Sequence, residues 1–123
     1  MTLGLKEIFL AIASDEVETL ARFYAQLFSV SPNPHIPNSY ANFQVAGMRI
    51  AIFKPISERA TEFLQRVHPG PLSLCLEVES LEVAIAHWIN QGNPAPSEVI
   101  SASHGQEFYG LDPVGNRLIF HES

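Results

Sequence analysis

The feature that most constrains this chain is that its order of elements occurs twice. Residues 6–14 form a mostly apolar run that reads as a buried strand. Ser14 or Asp15 can cap the helix that follows, with Glu16 and Glu18 in its first turn at the positive end of the helix dipole. Val17, Leu20, Ala21, Tyr24, Leu27 and Phe28 recur near helical spacing and predict an amphipathic helix over 16–28. Residues 40–45 and 48–54 read as short strands about an Ala46-Gly47 turn. A second helical stretch at 57–67 ends at Pro69-Gly70-Pro71, and then the pattern restarts. Residues 72–78 alternate strictly, as a half-buried strand does. Ser80 caps a helix over 81–91 that Gly92 ends. Residues 96–101, 106–111 and 116–121 supply three more strands. The matching third strand of the first copy falls in the loop 31–38, where three prolines argue against it. A supersecondary unit repeated over half a chain weighs more than any single motif.

The length of 123 residues indicates one domain, with module one at 5–56, a connector at 57–71 and module two at 72–123. A hydrophobic fraction of 46% is enough for a core, and a formal charge of -6 argues against nucleic acid as a partner. No apolar run reaches the roughly 18 residues that cross a membrane, so no membrane partner is expected. The first residues carry no basic stretch or cleavage site typical of a signal peptide. The single cysteine, Cys75, permits no internal disulfide and fits a reducing cytoplasm.

The chain closes on Asp112-Pro113-Val114-Gly115-Asn116 between two strand-like runs. Asp112 can accept backbone N–H bonds, Pro113 fixes its own φ, and Gly115 can adopt a left-handed conformation. A three-residue hairpin loop with glycine after a type I turn is the expected result. This phrase resembles the closing turn of the vicinal-oxygen-chelate proteins, which include glyoxalases, extradiol dioxygenases and bleomycin-resistance proteins. The run from Ala21 to Phe28, with its Phe23-Tyr24, and the strand 72–78 with Leu81-Glu82 are similar to other segments of that family. The resemblance implies an α+β fold of two βαβββ modules. Each would curl its sheet into a half-open cup, and a homodimer would complete the cavities.

The family's metal ligands come from the first strand and a late strand of each module. Carried over by position, these slots fall at Phe9 (Ile8 after a one-residue slip), Ala51, Ser73 and Ile119. None offers the imidazole, carboxylate or thiolate that a divalent metal needs. No metal and no other cofactor is therefore expected.

Period-2 alternation indicates what lines the cups instead. Ser73, Cys75 and Glu77 share one face of their strand, Arg117, Ile119 and His121 one face of theirs, and Arg49, Ala51 and Phe53 one face of a third. Phe9 joins this set, as do Phe108 and Tyr109, of which alternation turns one inward. Such a mixed aromatic, aliphatic and charged lining is that of a ligand pocket. Glu77 is the candidate acid or base, since an inward carboxylate needs a partner or a shifted pKa. The plainer alternative pairs it with Arg49 or Arg117, or leaves it exposed. For His121 the plain reading is a frayed strand end, for His104 a solvated loop, and for Cys75 a small buried hydrophobe. Trp88 anchors its helix on the sheet.

Two functional readings follow, with a ligand-free interaction domain as a third. The first is a metal-free small-molecule binding protein that holds an apolar or aromatic ligand. The alternative is a lyase, isomerase or dioxygenase-type enzyme. It would use either Glu77 as acid–base or a displaced metal site drawn from Glu7, Glu77, Glu107, His104 and His121.

Overall fold

The computed structural model describes residues 2–64 and 69–123, which divide into two units, Met1–Gln65 and Arg66–Ser123. Each is an α+β module with one four-stranded mixed sheet, its first and last strands paired in parallel.

In the first unit β1 (Leu10–Ala13) leads into α1 (Val17–Phe28), followed by β2 (His35–Ile36), β3 (Tyr40–Val45) and β4 (Met48–Phe53), in sheet order β1-β4-β3-β2. The doubtful third strand therefore exists as β2, a two-residue edge strand pairing His35 with Ala41. Its flanking prolines confine it to an edge, where an unpaired outer side is tolerated. Glu18 on α1 secures this segment, accepting from the Asn38 N–H at 2.9 Å and bonding the His35 Nε2 at 3.0 Å. The apolar run at 6–14 is longer than the strand it predicted, because the ladder with β4 begins only at Leu10. Neither expected side chain caps α1: Glu16 is the N-cap residue, and the buried Ser14 Oγ instead accepts from the Glu16 N–H at 2.8 Å. The core is α1 on the sheet, with Leu20, Tyr24, Phe43 and Ile52 fully buried. The expected helix at 57–67 is a single 3-10 turn, Ser57–Arg59, running into α2 (Ala60–Phe63). Residues 65–67 of that expectation lie outside the described residues.

The second unit repeats the plan with β5 (Ser73–Glu77), α3 (Leu81–Asn90), β6 (Ile100–Ala102), β7 (Gly105–Leu111) and β8 (Arg117–Glu122), in order β5-β8-β7-β6. Ser80 caps α3 as its type predicts, its Oγ accepting from the Val83 N–H at 3.2 Å. Beneath α3, Phe108 stacks on Phe120 with ring centroids 4.4 Å apart, and Trp88 meets both rings edge-on. Trp88 thus anchors the helix, and its indole N–H donates to the Pro94 carbonyl at 3.0 Å. Phe108 is therefore not part of a cup lining: alternation along β7 places it under the helix, and Tyr109 takes the open face.

The β7–β8 turn has the predicted construction. The Asp112 carboxylate accepts from the Val114 and Asn116 N–H groups, each at 3.0 Å, and from the Asn116 side-chain amide at 2.9 Å. Gly115, at φ 95°, donates back to the Asp112 carbonyl at 3.0 Å.

The two residues at the centre of β7 provide a test of the two faces. Phe108→Ala should cost about 3–5 kcal/mol in urea unfolding, as removal of a packed aromatic core residue does. Tyr109→Ala should stay within roughly 1 kcal/mol of wild type. Equal losses would mean that β7 packs both faces alike.

Candidate functional site

The sheet face turned away from α3 in the second unit is built of three cross-strand rows. Ser73, Arg117 and Leu111 make the first, Cys75, Ile119 and Tyr109 the second, and Glu77, His121 and Glu107 the third. Parallel pairing of β5 and β8 sets this register, so residues far apart in sequence meet side by side.

The first row is polar on one side: the Arg117 Nη1 donates to the Gly70 carbonyl at 3.0 Å. The middle row carries apolar and aromatic surface. Ile119 is half-buried, Tyr109 is 48% exposed, and Cys75 is exposed rather than buried as expected, because it sits opposite Ile119 on the open face. The Tyr109 hydroxyl donates to Glu107 at 3.2 Å, and this bond to a carboxylate raises its pKa.

The third row carries the strongest polar contacts. The His121 Nδ1–H donates to Glu77 Oε1 at 2.6 Å. The Ser123 N–H and hydroxyl donate to Glu77 Oε2 at 2.8 and 2.9 Å. The His121 bond first, and the Ser123 N–H next, hold the Glu77 carboxyl below its usual value. Glu77 pairs with His121 rather than Arg117 and stays exposed, as the plainer alternative allowed, and a carboxylate so stabilised is a poor base on its own. It fixes the His121 tautomer instead. His121 is no frayed end, since β8 continues to Glu122 and its side chain is only 17% exposed.

His104 completes the row. β6 and β7 join through the two-residue loop Ser103-His104, closed by the pair Ala102 and Gly105. This turn brings the His104 Nδ1 to 2.9 Å from the His121 Nε2. Gly105, at φ 138°, is required there: a Cβ would collide with the Glu122 carbonyl oxygen and lie 3.0 Å from the His121 Nε2.

The first unit has a different open face. Arg49 of β4 lies over the Phe9 ring, with its guanidinium carbon 3.4 Å from the centroid. Its nitrogens reach Glu7, the Tyr40 hydroxyl and the Asn42 Oδ1, each contact between 3.2 and 3.3 Å. The Glu7 bond raises the Arg49 pKa further. Ala51 is buried and Phe53 half-buried against Phe63.

The equal spacing of strand and helix in the two units makes Phe9 the counterpart of Ser73, and Ala51 that of Ile119. The four positions of the family's metal slots are thus structurally equivalent in pairs, and all four side chains lack a metal donor. Among the described residues no group of three His, Cys, Asp or Glu side chains is arranged to hold a metal ion, a displaced set included. The counterparts of Glu77 and His121 are Ala13 and Phe53, so the first unit has no carboxylate–histidine pair at the equivalent positions.

The fold is that of the vicinal-oxygen-chelate proteins, as the sequence resemblance implied. A glyoxalase/bleomycin resistance protein from Catenulispora acidiphila is similar at 21% identity and TM-score 0.66, covering 94% of this chain and 96% of that one. A lactoylglutathione lyase from Agrobacterium tumefaciens has 15% identity and TM-score 0.72, covering 98% and 96%. A genomically encoded fosfomycin resistance protein from Listeria monocytogenes has 16% identity and TM-score 0.72, covering 100% and 95%. No family model and no curated protein sequence matches the chain.

The Glu77 contact predicts a pH-dependent contribution to stability. The folded carboxyl titrates below the ordinary value of 4.5, so its contribution is complete above that value and is lost as pH falls through the lower folded value. Glu77→Gln should therefore lower the urea midpoint near neutral pH, and the gap to wild type should close under acid. A gap that persists through the acid range would rule out the ionised bond as its source.

Proposed function

We propose that the chain is a small-molecule binding protein that needs no metal and holds an apolar or aromatic compound on the open sheet face of its second unit. The observation that carries this reading is the middle row of that face. Cys75, Ile119 and Tyr109 present apolar and aromatic surface between two polar rows, which is how ligand sites combine adhesion with orientation. The donor-free slots at Phe9, Ala51, Ser73 and Ile119 support a mode of binding unlike chelation. One neighbour is by name a glyoxalase/bleomycin resistance protein and another a fosfomycin resistance protein, names that point to small compounds as the ligands of this scaffold. Exposed Leu3, Leu5 and Ile8 in the first unit support the expectation of a homodimer, which light scattering would test.

Equilibrium dialysis with planar aromatic compounds is the direct test. Binding should survive EDTA treatment of protein purified without chelator. Ile119→Arg should weaken it by roughly tenfold or more, a loss of about 1.4 kcal/mol. A stoichiometric metal whose removal abolishes binding would overturn the reading.

A further inference from the structure

We propose that Glu77, His121 and His104 form a proton relay, with His104 as the proton-transfer group for a carbon acid lying on the Cys75–Ile119–Tyr109 row. The inference rests on that row being a ligand surface and adds chemistry to it.

Three observations support the relay. The first is its connectivity. Glu77 can only accept, so His121 carries its proton on Nδ1 and offers the lone pair of Nε2. That nitrogen faces the His104 Nδ1 at 2.9 Å, which must then be the donor. The His104 Nε2 is left with a lone pair, the state of a base. A proton taken up there makes a cation whose charge is stabilised through His121 by the carboxylate, the logic by which a third group orients and supports a catalytic histidine. The reverse state, with the row protonated once, makes the same Nε2 an acid.

The second observation is placement. His121 lies within β8, Glu77 ends β5, and the tight turn at Gly105 sets the exposed His104 against His121. The charged or titratable groups facing His121 are Glu77 from β5, His104 from the β6–β7 turn and its cross-strand partner Glu107 from β7. The third is position. Rows on one strand face are about 7 Å apart, so a ring lying on Ile119 extends to His121, and His104 follows next along the sheet in contact with the His121 ring. The first unit has Ala13 and Phe53 at the matching places, so neither strand pairing nor packing of this module demands the polar set.

Nitrobenzisoxazole is a suitable probe, being planar, aromatic and a carbon acid. His104 Nε2 removes its ring C–H proton, the electron pair completes a nitrile, and the N–O bond breaks to release a coloured phenolate. His104 then returns its proton to solvent.

Wild type should turn the probe over, and His35→Ala, which removes a histidine of the first unit, should match it. His104→Ala should lose about tenfold or more of the rate while still binding the probe in dialysis. Glu77→Gln should move the midpoint of the pH–rate profile lower, with Glu77→Asp recovering part of the change, which a merely structural role would not do. Nitrogen-15 spectra of the histidine rings should show the Nδ1–H tautomer for both His104 and His121. An Nε2–H tautomer at His121, or turnover unaffected by His104→Ala with binding intact, would overturn the relay and leave the binding reading standing. Failure of wild type to bind the probe or any planar aromatic compound would remove both.

Discussion

Parallel pairing between the first and last strand of each unit is the interaction on which the rest of the structure depends. A parallel pair cannot be closed by a tight turn, so everything between the two strands has to act as the crossover. In the second unit that crossover is α3 and the β6–β7 hairpin, and the register it closes on is Ser73 with Arg117 through Glu77 with His121. Shifting this register by one residue would turn Leu118 and Phe120 from the core to the open face. The stacked Phe108 and Phe120 rings, with Trp88 edge-on to both, therefore hold the polar row in place from behind. Core and candidate site are two faces of one ladder.

Much of this was legible in the sequence. Alternation over 72–78 placed Cys75 and Glu77 on one face and the leucines on the other, and the Asp112-to-Asn116 turn formed as its residue types require. Both cases are local, fixed by side-chain period or turn chemistry. β2 was hidden because two residues flanked by prolines carry no periodicity. The length of the first strand was overstated because apolar character shows what can pair, not where a neighbour begins.

The third row was anticipated only within an alternative, with Glu77, Glu107, His104 and His121 named among the donors of a displaced site, and nothing local showed that they meet. His121 and His104 look dispensable when read along the chain, one near the end and one on a loop. Their meeting requires two registers at once, the parallel pairing of β5 with β8 and the two-residue turn at Ser103-His104. Gly105 was the available signal, since a glycine directly after a loop histidine marks a close backbone approach. The scaffold is common to proteins whose names range from a lyase to antibiotic resistance, so the backbone alone leaves chemistry open, and the side chains of the open face decide it.

Cys75 gives this arrangement an experimental handle. It is the chain's single cysteine, exposed on β5 two residues before Glu77 and across from Ile119. A thiol-reactive fluorophore would attach at one known point within the apolar row, one row from the histidine pair. Occupancy of that face could then be followed as a change in emission without altering any residue of the third row.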